Sequence, residues 1–367
     1  MHRGLTEYKM SLGKKDKKYY RIVVCGTNFG RMYIKGIKIN ANCKLVGILS
    51  KGSLQSKKCA GENNIPLYTD ISQLNSKDVD IVCVAVKSSI TGGDGAEIAL
   101  ECLKTGINVI QEQPVHYNEA KECFKQALKN HCHYYINSFY SGISAGKLMI
   151  EYANKLLNKT RPILLEAECS IQVLYPLLDI LGKMLGNVTT YKLNKVKTTN
   201  EILVIVEGEV EKIPLILKIE NRMASDNSDN YALLFHRIVL FTSSGQLVMD
   251  NSIGAVFWEP RYFIEKKNGI LNFEGNNIYS NQKVTEILNE DCLDDTYKDI
   301  YDNVWPQGIS NMIDEFMMLI ENEMDRKNIQ YQLNLCKLWG EIGKCIGPVN
   351  NILPEEIIPI NGEEILY

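Results

Sequence analysis

The sequence predicts a two-part α/β chain. A doubly wound parallel sheet comes first, and an α+β half with an open, mostly antiparallel sheet follows. Three observations carry this reading. Short apolar runs alternate with helix-length segments up to about Tyr140. The first of these runs ends in two closely spaced glycines. Beyond Tyr140 strand-like runs succeed one another, and two helical patterns close the chain.

The elements are read in order. Arg21–Gly30 (Arg-Ile-Val-Val-Cys-Gly-Thr-Asn-Phe-Gly) is an apolar run that breaks at Gly26 and Gly30, as a buried parallel strand does when it turns into a helix. Lys44–Leu49 is a second run at the distance expected of a strand–helix–strand unit, and Asp80–Val86 is a third, rich in β-branched residues. A helical segment over Ala96–Lys104 precedes a fourth run at Asn108–Gln111, and His133–Ile136 is a fifth. In the second half the pattern predicts a helix over Ser144–Leu157, a strand at Ile163–Ala167 and a helix over Leu177–Leu185. Strands follow at Ile202–Val206 and Ile213–Ile219, with a hairpin over Phe235–Met249 that turns at Ser243-Ser244-Gly245. The closing helices are read at Met312–Arg326 and Tyr331–Cys345.

The glycine turn has a chemical use. Backbone N–H groups and the positive helix end at such a turn can approach a pyrophosphate, so residues 19–141 read as a Rossmann dinucleotide-binding domain. The usual fingerprint G-x-G-x-x-G is altered, because Asn28 stands at its second glycine and Gly30 comes one residue early. Gly26, Thr27, Asn28, Phe29 and Gly30 are the expected phosphate loop. An acid after the second strand would bind the ribose hydroxyls of NAD. This chain has Ser50, Lys51 and Ser53 there, with Ser56 further on. Hydroxyls and an ammonium suit a 2′-phosphate and point to NADPH; an ordinary polar loop is the other reading. Val86, Lys87 and Ser88 follow the third run and are expected to meet the pyrophosphate or nicotinamide ribose.

Composition sets the frame. The chain has 367 residues, 45% of them hydrophobic, which suits two domains with real cores. No apolar stretch reaches the ~18 residues of a membrane span. Met1–Lys18 is a basic leader with six basic and two acidic residues, expected to be disordered. The rest keeps 35 basic and 42 acidic residues, a net of −7 that disfavours nucleic acid as a partner. Eleven cysteines are scattered singly, with no C-x-x-C pair, and fit buried thiols of a reducing cytoplasm. His131, Cys132 and His133 are adjacent but lack metal-site spacing, so no metal is expected. Seven carboxylates between Glu286 and Asp302 read as a solvated face. Residues 142–350 are expected to form the substrate and dimerisation domain, and 351–367 an acidic tail.

A Rossmann half followed by an open-sheet half resembles the Gfo/Idh/MocA oxidoreductase family. Members usually carry Glu-Lys-Pro where this chain has Glu112-Gln113-Pro114, and a helix-borne His-x-x-Asp where Pro176 precedes Leu177-Leu178-Asp179. Both proton-transfer groups of a sugar dehydrogenase are therefore replaced. Within that family the chain resembles the thiazolinyl imine reductases of siderophore assembly. The shared stretches are Gly26-Thr-Asn-Phe-Gly30 with Met32-Tyr33, Leu45–Leu49 with Gly52-Ser53, Ile65–Thr69, Val109–Glu112, Pro114-Val-His116 and Ile136–Tyr140. Thinner matches continue at Leu174-Tyr175, Leu178-Asp179, His236-Arg237 and Leu338-Trp339. Those reductases typically read Glu-His-Pro-Leu-His where this chain has Glu-Gln-Pro-Val-His.

The resemblance implies reduction of a thiazoline C=N to thiazolidine with NADPH. The substrate would be a thioester on a carrier-protein domain of a nonribosomal peptide synthetase. The enzyme would be a cytoplasmic homodimer. Tyr140 matches the tyrosine proposed as general acid, and Glu112 and Pro114 lie near the nicotinamide in this fold. Gln113 can hydrogen-bond substrate but cannot usefully transfer a proton. His116 has a suitable pKa range; capping the following helix is the equal alternative. Asp179 would orient substrate or water, or be structural. The alternatives are an oxidoreductase of the same fold acting on a sugar or another small imine, and a non-catalytic NADP(H)-binding sensor.

Overall fold

The first sheet is built by strands that are apolar on both faces. In the computed structural model, which describes residues 19–88, 92–199, 202–224, 230–322, 325–353 and 356–366, Ile22, Val23 and Val24 are wholly buried. They lie in β1 (Tyr20–Cys25), which leads through the glycine turn to α1 (Gly30–Ile39). Next come β2 (Cys43–Leu49), α2 (Leu54–Asn63), β3 (Leu67–Tyr68), β4 (Ile81–Val84), α3 (Gly95–Lys104), β5 (Asn108–Glu112), α4 (Tyr117–Lys129) and β6 (Tyr134–Asn137). The six strands are parallel in the order β3-β2-β1-β4-β5-β6. A parallel sheet covered by helices on both faces needs runs this apolar.

A 3₁₀ turn, Phe139–Gly142, carries the chain into α5 (Ser144–Leu157). The second half contains β7 (Pro162–Ser170), α6 (Leu174–Leu185), β8 (Tyr191–Lys195), β9 (Leu203–Val210), β10 (Ile213–Glu220), β11 (Arg222–Met223), β12 (Arg237–Thr242), β13 (Gly245–Met249) and β14 (Val256–Pro260). The short strands β15 (Lys266–Lys267), β16 (Ile270–Leu271) and β17 (Glu286–Ile287) follow. Eight strands form one sheet in the order β17-β14-β13-β12-β7-β10-β9-β8, antiparallel except where β7 meets β10. One face carries Leu165, Ala167, Leu217, Ile219, Ile238 and Leu240 into the core. The other carries Lys218 between Glu166 and Glu168, with Arg237 beside Glu168. The chain then passes α7 (Tyr297–Asp299), a π-helical turn over Ile300–Val304, α8 (Trp305–Glu321) and α9 (Arg326–Ile346).

Several elements differ from the sequence reading, among them the last helix, read from Tyr331 and beginning at Arg326. The helix read from Leu177 begins at Leu174, because Pro176 falls in its first turn, where a missing N–H costs no helical bond. The helix read from Met312 begins at Trp305, with Pro306 again in the first turn. Strand β3 is only two residues long and has no apolar run to announce it. The basic leader lies outside the described residues. Of the acidic stretch, Asp299 caps α7 through Thr296 and Asp302 pairs with Lys35 and Lys298, while the others lie largely exposed.

The two halves meet along α1 and α8. A Cβ at Gly36 would come within 2.9 Å of Ile309 Cγ2 and of the Pro306 carbonyl, so only glycine permits this approach. Asn40 Nδ2 donates to Ser310 Oγ at 3.0 Å and to Asp314 at 2.8 Å across the same seam.

Candidate active site

The strand-to-helix turn fits a dinucleotide. Gly26 has φ +92°, and a Cβ there would lie 3.0 Å from Val86 Cγ2 and 3.2 Å from the Ala85 carbonyl oxygen. Gly30 lets α1 press on β1, since its Cβ would meet Val24 Cγ1 at 3.0 Å. Helix α2 is capped by Ser53 and α4 by His116, but the N-terminus of α1 has no side-chain cap. Its positive end suits a pyrophosphate, while Arg31 N and Met32 N already bond the Asn28 and Phe29 carbonyls.

At the end of β2, Ser50 Oγ accepts from Gly52 N at 3.2 Å, and Ser53 Oγ accepts from Ser56 N at 3.2 Å. Ser56 is wholly buried and donates to the Ser53 carbonyl, which turns it away from any ligand. The Lys51 ammonium bonds Asp94 at 2.8 Å, and both side chains are well exposed. Ser88 Oγ donates to the Pro114 carbonyl at 2.6 Å and ties the β4 loop to the β5 loop.

The ends of β5 and β6 bring four polar residues together. Tyr33 on α1 is wholly buried; its hydroxyl donates to Glu112 Oε2 at 2.5 Å and accepts from Asn137 Nδ2 at 2.5 Å. The Gln113 side chain also hydrogen-bonds Glu112. Gln113 N donates to the Asn137 carbonyl at 3.2 Å. Burial pushes the Glu112 carboxyl up to about 8, against the pull of the Tyr33 and Gln113 hydrogen bonds. Among the described residues Gln113 Oε1 and Asn137 Oδ1 are buried without a partner.

Tyr140 stands in an aromatic wall next to this cluster. Its ring stacks on Phe139 at 4.3 Å and meets His236 edge-on at 4.8 Å and Trp305 at 6.2 Å. Phe29 of the phosphate loop packs on Phe139 at 5.6 Å. No described residue hydrogen-bonds the Tyr140 hydroxyl. Burial, with Glu112 nearby, raises its pKa well above the ordinary phenol value. His236 Nε2 bonds the Val173 carbonyl at 2.8 Å, and burial lowers its pKa to about 4, so the ring is neutral at pH 7. Its Nδ1 and the Trp305 indole nitrogen are buried and unpartnered among the described residues. Phe235 and His236 also line a cleft of about 430 Å³ with Leu233, Leu234, Ile202 and Leu203.

The structure gathers Gly26, Phe29, Val86, Glu112, Gln113, Pro114 and Tyr140 around one region. It places two other candidates elsewhere. His116 is the N-cap of α4, and its Nδ1 accepts from Asn118 N at 3.3 Å. Asp179 is 4% exposed and is enclosed by protein: its carboxylate accepts from Ser141 Oγ at 2.6 Å and Tyr331 at 2.9 Å and sits 3.5 Å from the Lys183 ammonium. It anchors the turn that carries Tyr140. Sequence reasoning gave no role to Tyr33, Asn137, His236 and Trp305. Three of them fall in the stretches shared with the reductases, but their meeting depends on contacts across 79 to 104 residues. All eleven cysteines are free, and no described group of three His, Cys, Asp or Glu residues could hold a metal ion. No helix among the described residues is long and apolar enough to cross a membrane.

The fold and the phosphate turn define an NAD(P)-dependent oxidoreductase. Residues 20–138 match the model of the Gfo/Idh/MocA oxidoreductase family with its NAD-binding Rossmann fold. Residues 160–259 match the C-terminal model of Irp3-like thiazolinyl imine reductases. The N-terminal part thus carries a Rossmann domain of the Gfo/Idh/MocA oxidoreductase type, and the C-terminal part a domain of the Irp3-like type. No curated protein sequence matches it. Solved structures of similar fold include an oxidoreductase from Agrobacterium radiobacter in complex with NAD+, L-tartaric acid and magnesium (TM-score 0.65, 10% identity, 89% of this chain and 96% of that one). A UDP-N-acetylglucosamine 3-dehydrogenase, GnnA, from Acidithiobacillus ferrooxidans is another (0.62, 14%, 89% and 98%). A myo-inositol dehydrogenase from Corynebacterium glutamicum is a third (0.59, 11%, 89% and 96%). At such identities the likeness speaks for the fold.

Proposed function

We propose that the protein reduces the C=N bond of a thiazoline ring to a thiazolidine with NADPH. The substrate is tethered to a carrier protein of a cytoplasmic nonribosomal assembly line of siderophore type, and the enzyme works as a homodimer with residues 142–350 as its substrate and dimer domain. The observation that carries this reading is the match of residues 160–259 to the Irp3-like C-terminal model. The site supports it. The lysine of the sugar-dehydrogenase motif is absent at Gln113, and the histidine of the second motif is absent at Pro176.

When bound, the nicotinamide supplies hydride to the imine carbon. The protein must then supply a proton to the nitrogen. In this reading Tyr140 gives that proton: its hydroxyl has no described hydrogen-bond partner and its ring lies in an aromatic wall. A phenol with a raised pKa still protonates an amide-type nitrogen anion downhill, because that anion is far more basic. His236, neutral and fixed by Val173, cannot serve as the acid. The cleft beside Phe235, apolar along Leu203, Leu233 and Leu234 and bounded by Glu168, Arg237 and Asp250, would take the acyl part of the substrate. Ser50, Lys51 and Ser53 sit where a 2′-phosphate would select NADPH, and Lys51 would exchange Asp94 for the phosphate.

The test is NADPH oxidation with thiazolinyl thioesters and with free sugars. Turnover of the thioesters alone is expected. Oxidation of sugars with NAD(P)+ and no turnover of thioesters would end this reading.

A further inference from the structure

Tyr140 carries its hydroxyl on a 3₁₀ turn that other residues hold in place. The hydroxyl itself has no described partner, so its position follows from the packing of its ring and from the backbone of the turn. The next residue, Ser141, is buried, and its hydroxyl meets three groups. It reaches back to the Ser138 carbonyl at 3.0 Å, lies 2.6 Å from Asp179 Oδ2 and accepts from the Lys183 ammonium at 3.0 Å. A hydroxyl has one proton, and a carboxylate is a stronger acceptor than a carbonyl, so the proton goes to Asp179. Ser141 N closes the turn on the same Ser138 carbonyl at 3.2 Å. The far ends of the cluster are anchored too. Tyr331 of α9 donates to Asp179 Oδ1 at 2.9 Å, and Glu315 of α8 lies 3.7 Å from the Lys183 ammonium. Tyr135 of β6 donates to Glu315 at 3.3 Å, which brings the cluster back to the strand that leads into the turn. The turn is stopped on its other sides. A Cβ at Gly146 would come within 2.1 Å of the Tyr140 carbonyl oxygen, and Asn311 Nδ2 donates to the Gly142 carbonyl at 2.9 Å.

We propose that Ser141 is a positioning residue: its hydroxyl, fixed between Asp179 and Lys183, sets where the Tyr140 phenol stands against the reduced nitrogen. This rests on the reading of Tyr140 as the proton source. Tyr140 leaves the chain one residue before the fastening, so any shift of the Ser141 backbone is carried straight into the Tyr140 ring. The neighbouring rings limit how the phenol tilts, but they leave its height along the wall to the backbone. Transfer between fixed groups is steep in distance, and a misplacement of about 1 Å can cost as much as 10²-fold. Ser141 neither takes nor gives the transferred proton. It acts only through the place it gives Tyr140.

Ser141→Ala removes one hydroxyl and leaves Asp179 its contacts with Tyr331 and Lys183, so the protein should still fold. With thiazolinyl thioesters, kcat should fall by roughly 10–10²-fold, while KM and NADPH affinity stay unchanged. In a Tyr140→Phe background the same substitution should cost nothing further, because the group it positions is gone. An unchanged kcat, an equal loss in both backgrounds, or a loss confined to KM overturns the inference. A second measurement needs no substrate. The ring-flip rate of Tyr140, read from ¹³C-labelled tyrosine in the ligand-free protein and assigned with Tyr140→Phe, should rise roughly tenfold in Ser141→Ala, the worth of about one hydrogen bond. Equal flip rates in the two proteins overturn the inference while thiazoline reduction stands. If no thioester is turned over, the reaction reading falls, and the flip rates alone decide whether Ser141 holds Tyr140.

Discussion

Asp179 is a buried carboxyl group and Glu112 a half-buried one, and the fold treats them in opposite ways. Asp179 is given a cation: Lys183 lies 3.5 Å away, with Ser141 and Tyr331 completing its shell and Glu315 on the far side of the lysine. Burial works against the Lys183 charge, yet Asp179 and Glu315 hold its ammonium above the usual range. Glu112 is given only neutral donors, and burial governs it. A paired charge is a fixed strut, costly to break and without chemistry to offer. An unpaired one keeps its proton within physiological reach. The Asp179 cluster holds the turn that carries Tyr140 through Ser141.

The sharpest way to break this contrast is at Tyr140. Tyr140→Phe removes one hydroxyl that no described residue bonds, so stability and NADPH affinity should hold while turnover falls by roughly 10²–10⁴. Unchanged turnover would remove Tyr140 as the proton source. Asp179→Ala should act on the fold instead. It leaves Lys183 beside Glu315 alone, and urea denaturation should show a loss of about 3–5 kcal/mol. The double variant Asp179→Asn/Lys183→Met should recover much of that loss; no recovery would mean that the ion pair is not what matters at this spot.

Stability against pH separates the two carboxyls again. Glu112 is raised in the folded chain, so between its ordinary value and about 8 the folded state binds more protons than the unfolded one. Stability should therefore fall as pH rises through that window, by about 3 kcal/mol after allowance for its partial exposure. Glu112→Gln should abolish that fall, read as the difference in urea midpoint between pH 5 and about pH 8.5. His236 works on the acid side. Its folded value near 4 lies below the ordinary one, so protonation of the unfolded chain removes stability as pH drops from about 6.5 toward 4. The smallest effect is expected at the mouth of the cofactor site. Lys51→Ala with Ser53→Ala should narrow the preference for NADPH over NADH by about tenfold, the worth of one charge-assisted bond. Equal dissociation constants in the unaltered protein would remove the preference altogether.

Much of this was legible in the chain and some was not, for a physical reason. The strands of the first sheet could be read because burial on both faces makes them continuous apolar runs, as in Ile22–Cys25 and Ile81–Val84. The glycine turn could be read because only glycine tolerates φ +92° so close to Val86. Tyr140 and the Glu112-Gln113-Pro114 turn stood out at strand ends. The partners that give those residues their character did not. Tyr33 looks like one more apolar position on α1, and nothing local shows that its hydroxyl reaches Glu112. Asp179 and Lys183 are four residues apart, a spacing that marks a helix-surface pair, and only the packing of α8 and α9 turns it into an enclosed one. His116 offered two readings on sequence, and its hydrogen bond to Asn118 shows the cap.

The glycine contact between α1 and α8 has a mechanical consequence. With Gly36 seated on Pro306 and Ile309, and Asn40 bonded to Ser310 and Asp314, the helix that carries the phosphate loop is riveted to the helix that begins at Trp305. The two halves cannot swing apart like jaws without tearing that seam. Any larger residue at position 36 would tilt the whole aromatic palisade, and the enzyme would lose alignment before it lost stability.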